Sequence, residues 1–330
     1  MPWRSILLTL LALVLIVLTA LYVGSLDWTR KHSRAVAALP RYTNRADTGT
    51  YRLAAGSYEY LVRVAGMQNH GPNVILLHGF PESSIMWTAL ARRAARDGFR
   101  VLAFDQRGYS PGARPAAVSQ YVIDSLVADV GRVADAVGFR TFHLVGHDWG
   151  AAVGWKTVMD YPERVQTWTA LSIPHFGVFL EGVLHDPEQK KRSSYFGFFQ
   201  RPLLPEFLFT YNGQNGLKKL LANMPEAHRN EYLAILTEPG ALTAELNWYR
   251  AMNVEGLVAG GTLNRPITRP TLFIWGDHDF ALAPSVVARQ RPLLRGPNRE
   301  VRLNADHALM QHAEQAVVEA VLTHLKTPYP

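Results

Sequence analysis

The chain has 330 residues, 48% hydrophobic and 18% charged, with 34 basic and 27 acidic side chains giving a net charge of +7. This length and apolar content suit one large core or two modest domains and exclude a disordered chain, while 25 glycines exclude a collagen repeat. The absence of cysteine excludes disulfides, thiolate nucleophiles and Cys-ligated metals without selecting a compartment.

The first feature in chain order is an apolar run. Ile6 to Val23 are 18 consecutive uncharged positions, mostly Leu, Val, Ile and Ala. As a helix this run is about 27 Å long, close to the hydrocarbon thickness of a bilayer. A buried core helix, a cleaved signal peptide and an uncleaved anchor compete. The lack of a polar face argues against the core helix. The run exceeds the usual apolar region of a signal peptide, and its small-x-small sites, Leu18-Thr19-Ala20 and Val23-Gly24-Ser25, are mediocre. Residues 1–25 are therefore expected to anchor the chain, with the lipid bilayer as a partner through Ile6–Val23.

Residues 26–56 read as a basic juxtamembrane linker. Arg30, Lys31, Arg34, Arg41 and Arg45 follow the run, against Asp27 as the one acid up to that point, while Arg4 and the amino terminus precede it. Positive charge stays on the cytoplasmic side, which predicts a single-pass protein with a cytoplasmic body. The alternative is an exported, periplasmic protein after signal cleavage. The basic segment also suits anionic lipid head groups. Nucleic acid is not an expected partner, because no recognised binding motif accompanies the charge.

From about Ser57 onward, short apolar runs alternate with amphipathic stretches. Val74–Leu77, Val101–Phe104, Phe142–Val145, Trp168–Leu171 and Thr271–Trp275 predict strands, and their near-continuous hydrophobicity predicts a mostly parallel sheet with helices on both faces. Val122, Leu126, Val130, Val133 and Val137 recur at spacings of three and four, one face of a helix ended by Gly138. Val317, Val321 and Leu325 repeat the pattern near the end. Such alternation predicts an α/β fold with crossover helices. Residues 174–269 hold no comparable strand run and are rich in aromatics, Leu, Lys and Glu. They predict a helical lid inserted between two sheet strands, leaving 57–173 and 270–330 as the core.

The chemistry is concentrated where strands end. Phe142–Val145 runs into Gly146-His147-Asp148-Trp149-Gly150 and then a helical stretch. Two glycines around a polar residue between strand and helix form the nucleophile elbow of α/β-hydrolases. The glycines permit a turn that side chains would block, and the helix start favours negative charge. The central residue here is Asp148 rather than Ser. A carboxylate gains nothing by attacking an ester, but it opens a strained or activated carbon electrophile by displacement, leaving an alkyl ester on the enzyme. Taken alone, such an aspartate is as readily a helix cap. Three further features in chain order favour the nucleophile: His78-Gly79-Phe80-Pro81 after a strand, Gly276-Asp277-His278-Asp279 after Thr271–Trp275, and Asp306-His307 before the last helix. Nucleophile, acid and histidine follow in the order of this fold.

Residues from about Tyr58 to Leu325 resemble the epoxide hydrolases of the α/β-hydrolase superfamily. The resemblance rests on His78-Gly79-Phe80-Pro81-Glu82, Asp105-Gln106-Arg107-Gly108-Tyr109-Ser110 and the elbow, together with two lid segments, Tyr195-Phe196-Gly197-Phe198-Phe199-Gln200 and Leu246-Asn247-Trp248-Tyr249-Arg250. It implies that Tyr195 and Tyr249 bind the epoxide and donate to the oxygen released on ring opening, Trp149 also lining the substrate site. It further implies attack by Asp148 on a ring carbon, and hydrolysis of the ester by water that His307, oriented by Asp279, deprotonates. The backbone amides of Phe80 and Trp149 would receive the oxyanion. No organic cofactor or metal is implied, and the expected substrate is a small hydrophobic epoxide converted to a vicinal diol.

Competing assignments remain at this level. Asp277 is the alternative to Asp279, His312 to His307 and Tyr211 to Tyr195. His78 and His147 read as residues that hydrogen-bond loop backbone. Ser83-Ser84-Ile85-Met86 departs from the aromatic residues common in relatives, a change expected to alter the pocket wall. A haloalkane or haloacid dehalogenase using the same aspartate and a non-catalytic relative are the rival functions. The two lid phenols argue against the first, and the intact set Asp148, Asp279 and His307 argues against the second.

Overall fold

The computed structural model describes residues 3–329, apart from the side chains of residues 4 and 18–30. Among the described residues the sheet has eight strands: β1 (Gly49–Ala55), β2 (Tyr58–Ala65), β3 (Asn73–Leu77), β4 (Arg100–Phe104), β5 (Phe142–His147), β6 (Val165–Leu171), β7 (Thr271–Gly276) and β8 (Asn298–Leu303). Their order across the sheet is β1-β2-β4-β3-β5-β6-β7-β8. The first two pairings are antiparallel and all the others parallel.

The continuous apolar strands are explained by burial on both faces. Successive side chains of a strand point to opposite sides. Thus Val74 and Leu76 join one hydrophobic cluster while Ile75 and Leu77 join the other, and Val101 and Ala103 separate in the same way from Leu102 and Phe104. One face is covered by α2 (Thr88–Arg96) and α14 (Glu314–Lys326), which bury Leu90, Val317, Val321 and Leu325. The other is covered by α3 (Ile123–Ala136) and α4 (Trp149–Asp160), with Leu126, Val130, Val133 and Trp155 in the contact. Of the predicted face, Leu126, Val130, Val133 and Val137 are buried, whereas Val122 precedes the helix and is exposed.

Between β6 and β7 lie only helices: α5 (Phe176–His185), α6 (Pro187–Arg192), α7 (Tyr195–Phe199), α8 (Leu204–Leu220), α9 (Glu226–Leu236), α10 (Ala241–Arg250) and α11 (Val254–Ala259). Helix α8 is broken at Tyr211–Gln214, where the backbone leaves helical angles. Short helices α12 (Pro284–Arg289) and α13 (Leu309–His312) follow β7 and β8.

The amino-terminal expectation needs correction. Helix α1 runs from Trp3 to Ala38, through the predicted boundary between anchor and linker. Among the described residues, however, no helix is long and apolar enough to cross a membrane. The side chains of residues 18–23, like both candidate cleavage sites, lie outside the described residues. The spanning anchor through Ile6–Val23, its bilayer partner and the localisations built on it therefore do not hold. The far end of α1 instead packs on the body: Val36 is buried and Ser33 hydrogen-bonds Glu238. Part of the expected linker is also sheet, since β1 pairs along its length with β2.

Candidate active site

The parallel strands place their carboxyl ends side by side, and the chemistry-bearing residues gather there. Asp148 sits between β5 and α4 at φ 52° and ψ −119°. A non-glycine residue in such a conformation carries strain of about 1–3 kcal/mol, held by the surrounding packing. That packing is tight. A Cβ at Gly150 would lie 2.2 Å from the Leu77 carbonyl oxygen, and one at Gly79 would lie 2.4 Å from Cβ of Asp148. The glycines therefore allow β3, its following loop and the elbow to close on one another.

Asp148 occupies the position preceding α4, yet its side chain makes no capping hydrogen bond to that helix. Its Oδ1 accepts the Phe80 amide at 2.9 Å, and its Oδ2 lies 3.4 Å from Nε2 of His307. The other ring nitrogen of His307, Nδ1, faces both oxygens of Asp279 at 2.9 and 2.8 Å. Asp279 is in turn fixed by the Ala281 amide at 2.8 Å. Asp148, His307 and Asp279 thus form a continuous line, with Asp148 and Asp279 both buried.

The electrostatics follow from that line. Burial alone would push His307 down, but Asp279 and Asp148 outweigh it and hold the imidazole well above its ordinary value. Burial likewise raises Asp148, and is overcome by the His307 hydrogen bond and charge, so its carboxyl titrates lower than usual. Both shifts favour a proton on His307 and a charge on Asp148.

Two phenols face this line from the helices above. Tyr249 on α10 is buried and its ring centroid lies 5.0 Å from that of Trp149 and 6.2 Å from that of Tyr195 on α7. Burial, helped by the negative charge of Asp148, raises both phenols well above their ordinary values, so both keep their protons. Asp148, Trp149, Tyr195 and Tyr249 line one pocket, whose remaining wall is Ala152, Ile173, Phe176, Phe179, Phe196 and Met252. The wall is wholly apolar.

The alternatives lie elsewhere. Asp277 pairs with Arg302 on the surface, and His312 binds Asp306 and the Asn223 carbonyl oxygen at the protein's edge. Tyr211 is 55% exposed beside Phe207. The Ser83–Met86 segment does not line the pocket, contrary to expectation: Ser83 binds Glu231, Ser84 binds Asp105, and Met86 is buried against α2.

Three further residues brace the site. His147 meets an acceptor with each ring nitrogen, Glu82 at 2.7 Å through Nδ1 and the His307 carbonyl oxygen at 2.8 Å through Nε2. Both nitrogens must donate, so His147 is an imidazolium. Burial opposes its charge, but Glu82 outweighs burial and raises it, and His147 lowers Glu82 in return. Gln311 donates to the second Glu82 oxygen at 2.6 Å. Glu82 and His147 stand within the motifs that flag the site, but nothing in their spacing reveals that they pair. His78 is different: its Nδ1 donates to the Gly79 carbonyl oxygen at 2.9 Å and its Nε2 accepts the Gln106 amide at 3.0 Å, a neutral ring that ties two loops.

Comparison with known proteins agrees with this geometry. The alpha/beta hydrolase fold family matches residues 72–309. The chain is 34% identical to mouse Epoxide hydrolase 4 over 227 residues, covering 66% of this chain and 62% of that protein. It is 31% identical to Epoxide hydrolase A of Mycobacterium tuberculosis over 295 residues, covering 77% of this chain and 90% of that protein. The crystal structure of Epoxide Hydrolase A from Mycobacterium thermoresistibile superposes with a TM-score of 0.73 at 26% identity, covering 86% of this chain and all of the other. The chain belongs to the α/β-hydrolase fold family and, within it, to the epoxide hydrolases.

Proposed function

We propose that this chain hydrolyses a small hydrophobic epoxide to a vicinal diol through a covalent ester on Asp148. The observation that carries the reading is the two-sided environment of Asp148. Its Oδ1 is held by the Phe80 amide, its Oδ2 faces His307, and two protonated phenols line the same pocket.

Oδ2 is the attacking atom, because Oδ1 is already committed to an amide. It forms a bond to one ring carbon as the C–O bond of the epoxide breaks, and the released oxygen takes its proton from Tyr195 or Tyr249. Positioned proton donors of this kind contribute about 10²- to 10⁴-fold. Alkylation removes the negative charge of Asp148, which lowers the hold on the His307 proton; that proton leaves the imidazole, and the phenolate formed in ring opening is reprotonated. The neutral imidazole, oriented by Asp279, then deprotonates a water that attacks Cγ of Asp148. Charge develops on Oδ1, where the Phe80 amide already points and where the Trp149 amide opens α4. Loss of one such donor costs about 3–4 kcal/mol of barrier. Collapse breaks the Cγ–O bond to the substrate; the leaving alkoxide takes the proton of the newly formed carboxylic acid, which returns the carboxylate and releases the diol.

The division of labour that fits this chemistry is a core of residues 57–173 and 270–330, which carries Asp148, Asp279 and His307, and a lid of residues 174–269, which carries the phenols. The apolar wall of Ile173, Phe176, Phe179, Phe196 and Met252 suits an apolar substituent on the epoxide. The test is the His307→Gln variant incubated with styrene oxide. Accumulation of one substrate mass on the peptide containing Asp148, with little diol, is the expected result. An unmodified protein that still produces diol at the parent rate would overturn the covalent reading.

A further inference from the structure

One turn before Tyr249 on α10 lies a carboxyl group that the proposed reaction does not use. Glu245 is fully buried, and among the described residues neither of its carboxyl oxygens has a hydrogen-bond partner. The cation that acts on it is Arg114, and that guanidinium is committed elsewhere: Nε to the Gly108 carbonyl oxygen at 2.8 Å, Nη2 to the Tyr109 carbonyl oxygen at 2.6 Å, and Nη1 to Glu238. The other charged group acting on it, Asp105, is negative, and the titratable groups it influences are the phenols Tyr109, Tyr121 and Tyr249.

The surroundings of Glu245 are the seat of α10. The Trp248 indole N–H donates to the Arg107 carbonyl oxygen at 2.9 Å, and a Cβ on Gly108 would lie 3.2 Å from the Ala244 carbonyl. Helix α10 therefore rests directly on the loop after β4, with Glu245 inside the contact. Residues four apart on a helix share a face, so this contact also fixes where Tyr249 is presented.

We propose that Glu245 is a positioning residue for Tyr249, a carboxyl group kept protonated in the seat of α10 so that the helix stays docked and the phenol stays aimed at the epoxide oxygen. This rests on the reading of Tyr249 as a proton donor. A buried carboxylate with no counter-ion is strongly unfavourable, and such groups neutralise instead. Burial, followed by the opposing pull of Arg114 and the push of Asp105, accordingly holds the Glu245 proton well above the usual carboxyl range. Ionisation at alkaline pH places an anion beside Tyr249, making the phenol a poorer donor, and loosens α10 from Gly108. Ring opening then falls as pH rises through the Glu245 titration.

The experiment follows ring opening alone, as the rate of mass gain with styrene oxide in the His307→Gln background, across pH. Glu245→Gln keeps the shape of the side chain and cannot ionise. Its rate below neutrality is expected to stay within about twofold of the parent, and its alkaline fall to move upward by about one pH unit or more. Superimposable alkaline limbs would overturn the proposal. Tyr249→Phe in the same background separates the two ideas. If it opens the ring as fast as the parent, the donor reading itself fails; if it is slow while the Glu245→Gln limb does not move, the role of Glu245 alone fails. The full-length unsubstituted chain provides a second measurement. A protonated-carboxyl infrared band persisting at pH values where exposed carboxyls are ionised is expected, and its absence at neutral pH would overturn the proposal.

Discussion

The ring of His147 binds the backbone of His307, its Nε2 lying 2.8 Å from the carbonyl oxygen of the residue whose side chain faces Asp148. The elbow that presents Asp148 is thus also tied to the loop that presents His307. The tie is anchored behind by Glu82, and Ser172 donates to the same carbonyl at 3.1 Å.

Glu82→Gln tests this brace. It leaves His147 without its buried counter-ion, so the expected cost is about 3–5 kcal/mol of stability. Displacement of the His307 loop is expected to slow ester hydrolysis more than ring opening, because only hydrolysis uses the imidazole as a base. Thermal denaturation and separate single-turnover rates check both parts. Equal slowing of the two steps would assign Glu82 to general stability only.

The phenols have a sharper signature. Tyr249→Phe and Tyr195→Phe are each expected to slow epoxide opening by about 10²-fold, while leaving folding nearly unchanged. Tyr211→Phe is expected to change neither, because that ring is exposed. Halide displacement from a haloalkane generates no alkoxide, so Tyr249→Phe should leave any such activity untouched. Parallel assays with styrene oxide and a haloalkane decide the matter. Halide release without diol formation by the unsubstituted chain would point to a dehalogenase instead.

The pH behaviour follows from the raised His307 and the lowered Asp148. A raised base contributes stability that is present below its unfolded value and is lost as pH rises through its folded value. A lowered acid contributes stability present above its unfolded value and lost as pH falls through its folded value. The pair therefore supports the fold most between the unfolded values of Asp148 and His307, with its contribution falling away toward the folded value of Asp148 on the acid side and that of His307 on the alkaline side, and His307→Gln is expected to flatten the alkaline fall of Tm. For turnover, His307 must be neutral only once Asp148 is esterified and uncharged. The apparent pKa governing ester hydrolysis is expected to lie below the His307 value that NMR reads in the resting enzyme. A hydrolysis value equal to or above the resting one would contradict this coupling.

Much of the sheet was legible because the central strands are buried on both faces. Val74–Leu77, Val101–Phe104 and Phe142–Val145 present apolar side chains to helices above and below, so their runs are uninterrupted. The antiparallel edge formed by β1 and β2 was harder to read, since Arg52, Glu59 and Arg63 break its pattern and pair with one another or with Glu231. The amino-terminal run misled for another reason. Among the described residues no helix is long and apolar enough to cross a membrane, and the far end of α1 packs on the body through Val36 and Ser33, contacts that hydrophobicity along the sequence does not report.

In the site, motifs that follow strands were readable because the fold turns a strand end into a fixed location. Asp148, Asp279 and His307 are far apart in sequence yet each closes a strand or the loop after one. The contacts of Glu82 with His147 and the isolation of Glu245 were not readable. Both depend on which buried polar group finds a partner, and that is decided by tertiary packing rather than by spacing.

The most direct test of the account is a single turnover with excess enzyme in heavy-oxygen water. Attack by Asp148 followed by water attack on its Cγ leaves the new oxygen in the carboxyl group and gives an unlabelled diol. The predicted result is therefore label in the peptide carrying Asp148 and none in the first equivalent of product. Label in that first diol, with an unlabelled peptide, would mean that water attacks the epoxide directly and would contradict the central role given to Asp148.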